Sequence, residues 1–299
     1  MRKTLFFISF FICNFCAFGA EVPDLNSALR ATYTACVGID DELADLKKLA
    51  GINTAVTAVG TATGGAATVV GLVKASKDKQ IEDRLPDVRE SYGKTNYDKT
   101  VATNNYNAAT KAYSGSTETE IDRLTKQSKN LGYWRTGLMA GATATNIAGA
   151  AIAGTSLKKG DIQGHIDDCM QKVSELRTSI AAARMNGEDV SEAQGIVKAC
   201  SQYTGLDISK IQKQAKGSLV SSLVGTATGI AGTTTSAVAN SDNTRKEGGQ
   251  KEKNLNTASN VLAGATTAAS ATATVFNALQ IGTIKKVASV ASECEGVLK

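Results

Sequence analysis

The residues of this 299-residue chain with the most chemistry in them are its six cysteines, and their surroundings sort them into two groups. Cys13 and Cys16 sit in an almost purely apolar run, Leu5 to Phe18, that follows Arg2 and Lys3 and leads into the small residues Gly19 and Ala20. A short positive start, an apolar stretch and a small-residue exit form the layout of a secretory signal peptide, here residues 1–20, with Gly19 and Ala17 best placed for cleavage. An uncleaved N-terminal anchor is the alternative. Cys36, Cys169, Cys200 and Cys294 remain after processing. An even count in an exported chain predicts disulfides. None of the four has the short spacing of a metal-ligand pair, so no metal is expected.

Other reactive types are sparse. His165, between Gly164 and Ile166, is the single histidine. Asp40-Asp41 and Asp167-Asp168 are adjacent pairs, which point in different directions on a helix and suit capping or solvation better than acid–base work. Gly64-Gly65 lacks the Lys-Ser/Thr ending of a phosphate loop, and no dinucleotide fingerprint is present. No catalytic residue and no cofactor is expected, and the chain reads as non-enzymatic. A formal charge of +5, with no Lys/Arg run interleaved with aromatics, gives no footprint for nucleic acid.

The elements that must position the cysteines are duplicated. Val59-Gly60-Thr61-Ala62-Thr63-Gly64 recurs as Val224-Gly225-Thr226-Ala227-Thr228-Gly229, downstream of Cys36 and Cys200 respectively. Ala140-Gly141-Ala142-Thr143 upstream of Cys169 recurs as Ala263-Gly264-Ala265-Thr266 upstream of Cys294, with Lys158-Lys159 and Lys285-Lys286 in corresponding places between. Each copy therefore reads cysteine, uncharged segment, polar tip, uncharged segment, cysteine. The expected fold is all-α, with two tandem helical-hairpin units. Residues 21–186 form unit one, with a long polar tip at 74–130, and residues 187–299 form unit two. The repeat selects the pairing Cys36–Cys169 and Cys200–Cys294, a disulfide at the base of each hairpin.

The arms are charge-free. Gly51 to Val73, Thr136 to Leu157, Gly217 to Ser241 and Asn254 to Ile284 carry no Asp, Glu, Lys or Arg over 23, 22, 25 and 31 residues. A helix on the surface of a soluble bundle normally has a charged stripe, and these lengths meet the span of a bilayer. Gly60 and Gly64, Gly137 and Gly141, and Gly225 and Gly229 are each four apart, with Gly264 in the fourth arm. That spacing puts two small residues on one helix face, where backbones can approach closely. It resembles the spacing in glycine-zipper envelope proteins. Tyr133, Trp134 and Arg135, just before the second arm, have the character of a membrane-interface anchor.

Against insertion stand the abundance of Thr, Ser and Ala in the arms and the amides Asn53, Asn146 and Asn277. Two readings follow. In one, the chain is a membrane-associated structural or interaction scaffold of a cell envelope. Its partners would then be lipid or a second copy through the small-residue faces, with a protein partner at the 74–130 tip and the cysteine-bearing ends on the exported side. In the other, it is a secreted soluble helical bundle acting as a binding module. A hairpin-inserting pore-former is a third.

Overall fold

Several helix starts and stops have a local cause. Asp24 caps α1 (Leu25–Cys36) by accepting from the Ser27 backbone N–H at 2.9 Å. Gly38, at φ +93°, turns the chain into α2 (Ile39–Ser91), whose first turn carries Asp40, Asp41 and Glu42 at its positive end. After α3 (Ser116–Lys159), the Asp161 carboxylate accepts from Gly164 N–H at 3.2 Å and opens α4 (Ile162–Met185). Asn186-Gly187 closes α4. Gly187 takes φ +80°, and the Glu188 N–H reaches back to the Ala183 carbonyl at 3.1 Å. Then come α5 (Ser191–Cys200), a 3-10 turn (Ser201–Gly205), α6 (Ser209–Ala239) and α7 (Gly249–Leu298).

This computed structural model describes residues 22–91, 116–159, 161–241, 244 and 249–299, which are helical with short connections and hold no strand. The expected signal segment, the middle of the long tip (92–115) and most of the second tip lie outside the described residues. The described parts of the long tip continue α2 and begin α3. Asp78 accepts from the Ser128 hydroxyl, and Arg84 pairs with Glu120.

The disulfides join Cys36 to Cys169 and Cys200 to Cys294, with Cα–Cα distances of 4.8 and 4.6 Å. They close chain separations of 133 and 94 residues. The described residues divide into two compact units, and each takes pieces from both sequence repeats.

The cysteine unit comprises residues 22–44, 161–207 and 286–299. Here α1 packs on α4, and α5 with its 3-10 turn packs on α4 as well. Its interior is conventional. Ile39, Leu43, Ile166, Val173 and Leu176 are buried with the four half-cystines, whereas Asp41 and Glu42 are exposed. Glu295 accepts from the Gly38 and Asp40 N–H groups at 3.0 and 3.1 Å and so caps the start of α2. Tyr203 is 2% exposed; burial, with the Glu295 and Asp40 carboxylates adding to it, pushes its phenol well above the ordinary tyrosine range.

The arm unit comprises residues 45–160 and 208–285 and contains the charge-free stretches of α2, α3, α6 and α7. In each of these helices the buried positions recur at alternating steps of three and four. In α2 they are Asn53, Thr57, Gly60, Gly64, Ala67, Gly71 and Lys74. That is a heptad stripe, but its occupants are small or polar where a water-soluble coiled coil has Leu and Ile.

Closing loops of this size with a disulfide contributes roughly 5 kcal/mol each in a chain-entropy account, with measured values of about 2–5 kcal/mol. Replacing Cys36 and Cys169 together by Ser is therefore expected to lower unfolding stability by about 2–5 kcal/mol in a denaturant titration followed by circular dichroism. An unchanged midpoint would show that the bond constrains nothing.

Candidate functional site

The arm unit is the part of the molecule whose residue placement departs from ordinary expectation, and its interior is the candidate site. Asn53 donates through Nδ2 to Ser218 Oγ at 3.2 Å and to Asn277 Oδ1 at 3.1 Å, joining α2, α6 and α7. One turn on, the Thr274 hydroxyl donates to Thr57 Oγ1 at 3.0 Å. Asn146 on α3 donates to Ser270 Oγ at 2.9 Å, and the Ser270 hydroxyl faces Asn146 Oδ1 at 3.1 Å. Further along, Thr228 and Thr266 meet at 3.0 Å, and Thr136 and Ser236 at 2.8 Å. One apolar cluster in this interior is Ala67, Met139 and Ala263 with Leu138 beside them, and Leu46, Ile121, Leu124, Ile211 and Ile284 are buried toward the ends of the unit.

Glycine makes these layers fit. A Cβ at Gly60 would lie 2.6 Å from Thr145 Oγ1, at Gly64 2.7 Å from Thr267 Oγ1, and at Gly225 2.6 Å from Asn146 Oδ1. Gly229 is as close to Thr143. Four of the seven glycines expected at helix contacts thus face a hydroxyl or amide of a neighbouring helix. Gly137, Gly141 and Gly264 have nothing within 4 Å of a built Cβ, so they do not face a neighbouring helix within this unit. The same four-residue spacing falls on a different rotational phase in α3.

Charge is confined to one end of the stripe. Lys74 is fully buried and binds Asp78 at 2.7 Å, with Glu252 at 3.7 Å. Arg135 is also fully buried; its Nη2 donates to the Asn256 carbonyl at 3.2 Å, while Nε and Nη1 have no hydrogen-bond partner. Its sequence neighbours Tyr133 and Trp134 are 54% and 70% exposed. The aromatic pair thus lies on the outer surface, while the cation turns inward onto the buried stripe with Gly132 and Met139. The ion pairs of the buried Lys74 with the half-buried Asp78 and Glu252 carry little signal in the sequence. The one signal is that Lys74 continues the three-and-four spacing of Gly64, Ala67 and Gly71.

The outer surface completes the pattern. Val59, Val69 and Leu72 on α2, Ile147 on α3, Leu223 and Ile230 on α6, and Val261 and Leu279 on α7 are exposed at 52–67%. Burying one such side chain is worth roughly 1.5–3 kcal/mol. A fold in water that put amides inside and left these residues outside would forgo that term on all four helices. Threonines at or near the same surface are masked from within. The hydroxyls of Thr63, Thr155, Thr235 and Thr272 donate to the carbonyls of Val59, Ala151, Ala231 and Ala268 at 2.7–2.9 Å. Among the described residues, one helical stretch, within Leu25–Arg84, is long and apolar enough to cross a membrane, and 28% of its most apolar window is buried in the chain.

Three of the cysteine sulfurs, those of Cys36, Cys169 and Cys294, lie within 4.8 Å of one another, but all three are held in disulfides. No family, no curated protein and no solved structure matches the chain.

Replacing Gly225 by Val drives side-chain atoms into Asn146 and is expected to cost about 1–3 kcal/mol or more in a denaturation experiment in mild detergent. Replacing Gly264 by Ala meets nothing and is expected to be neutral or stabilising by up to about 1 kcal/mol. Equal effects at the two positions would contradict the packing described.

Proposed function

We propose that this chain is an exported, non-enzymatic envelope protein whose arm unit is embedded in a lipid bilayer and serves as a structural or interaction scaffold. The observation that carries this reading is the inverted polarity along the middle of the charge-free stretches: Asn, Ser, Thr and Gly inside, and residues such as Val59, Ile147 and Ile230 outside. In lipid, apolar side chains gain nothing by facing one another, and small residues with interhelical hydrogen bonds hold helices together. The charge-free stretches, at 1.5 Å per residue, span about 33 Å or more, enough for a hydrocarbon core of about 30 Å. The internal hydroxyl-to-carbonyl bonds lower the polarity that Thr-rich helices present to lipid.

In this reading the chain is two tandem hairpin copies, 21–186 and 187–299, behind a cleaved signal peptide. The cysteines lie on the exported, oxidising side, where disulfides persist. Tyr133 and Trp134 sit at the headgroup level. The outward small residues Gly137 and Gly141 are available to a second copy, and the 74–130 tip to a protein partner. The secreted soluble alternative fits less well, because the cysteine unit of the same chain shows the ordinary polarity and the arm unit does not.

Alkaline carbonate treatment of membranes is expected to leave the chain in the pellet. Replacing Val59 and Ile230 by Lys puts two charges at mid-segment on the outer surface, costing about 2.5–3.5 kcal/mol each in lipid. The double variant is expected to be lost from the membrane pellet. Release of the native chain by carbonate, or full retention of the variant, would overturn the reading.

A further inference from the structure

The cysteine unit holds a feature that a pair of structural disulfides does not require. The two bonds are neighbours. The Cys294 sulfur lies within 4.8 Å of both sulfurs of the Cys36–Cys169 bond, while Cys200 is not part of that cluster. All four cysteines have no exposed surface. Burial slows external thiols at all four sulfurs, and exchange rates depend on access and on which sulfur is attacked. Adjacency removes the access problem for one attacker only, the Cys294 thiolate.

We propose that the four cysteines form an intramolecular thiol–disulfide exchange centre in which Cys294 is the attacking and returning sulfur. When the Cys200–Cys294 bond is opened by a dithiol reductant, which leaves as its own disulfide, Cys200 and Cys294 become thiols. The deprotonated Cys294 attacks Cys36, the Cys36–Cys294 bond forms, the Cys36–Cys169 bond breaks, and Cys169 leaves as a thiolate that takes up a proton. Attack at Cys169 releases Cys36 in the same way. One disulfide is consumed and one is made, so the step needs no oxidant. The new bond joins the two sequence repeats covalently, where the resting bonds each stay within one. The attacking species is the thiolate, so the exchange quickens as the pH rises. The inference rests on the cysteine unit alone and stands or falls independently of membrane insertion.

The test uses the full mature chain. Less than one equivalent of a phosphine opens a fraction of the bonds at alkaline pH. Acid quenching, alkylation and non-reducing peptide mapping then report which cysteines are thiols. The expected product carries a bond from Cys294 to Cys36 or Cys169, with its two alkylated thiols drawn one from each resting bond. Thiol pairs that always come from a single resting bond would overturn the proposal. Two variants locate the attacker. Cys200→Ser frees Cys294 and is expected to show Cys294 bonded and Cys36 or Cys169 alkylated. Cys294→Ser frees Cys200 and is expected to keep Cys36–Cys169 intact with Cys200 alkylated. Equal scrambling in both variants would remove Cys294 from its role. Should Cys200→Ser lose its helical signal, the unsubstituted chain under limiting phosphine decides the matter.

Discussion

The arm unit depends on one constraint: its helices touch through positions too small or too polar to be a hydrophobic core, so their backbones must come close enough for side-chain amides and hydroxyls to bond across. Gly225 against Asn146 shows it in miniature. The absent side chain lets the amide in, and the amide then reaches Ser270 on a third helix. A Leu at either place would fill the gap and break the layer. Small-residue contact and polar bonding are therefore a single device here, and neither works without the other.

That device inverts the usual division of labour. In the cysteine unit, apolar residues gather round two disulfides and charges other than the capping Glu295 face outward, as water requires. Along the middle of the arm unit, interior amides supply direction and register, while Val59, Val69, Ile147, Leu223 and Ile230 lie outside. Buried polar groups are costly when unpaired, and several here remain so, among them Asn53 Oδ1, Ser222 Oγ and the Arg135 Nε. The ionic layer at Lys74 and Asp78 closes the stripe where the charge-free stretches end. A bundle built this way gains little from being driven together by water.

Much of the cysteine unit was legible in the sequence. The repeated landmarks selected Cys36–Cys169 and Cys200–Cys294 from three possible pairings, and the structure has both. The helical class followed from periodicity, and Asn186-Gly187 marked a real stop. The arms were legible in composition but not in phase. Gly60 and Gly64 lie on the buried stripe of their helix, whereas Gly137 and Gly141, equally spaced, do not, because facing depends on rotation relative to Asn146 and Met139. Gly264 is one position off the stripe of Ala263 and Thr266 for the same reason. Arg135 is one residue, or about 100° of turn, past Trp134, and that turn takes it from the outer surface to the interior. Spacing alone carries no information about which side of a helix its neighbours occupy.

The central claim concerns what surrounds the arm unit, and the chain carries its own probe for that. Trp134 is the single tryptophan, lies just before the charge-free stretch of α3 and is mostly exposed. Its fluorescence should be recorded for the mature chain in buffer and after reconstitution into vesicles containing lipids brominated near the top of the acyl chain. The account predicts a shift of emission to shorter wavelength and strong quenching by the brominated lipid. Emission that is the same in buffer and vesicles, with no quenching, would place Trp134 in water and contradict it.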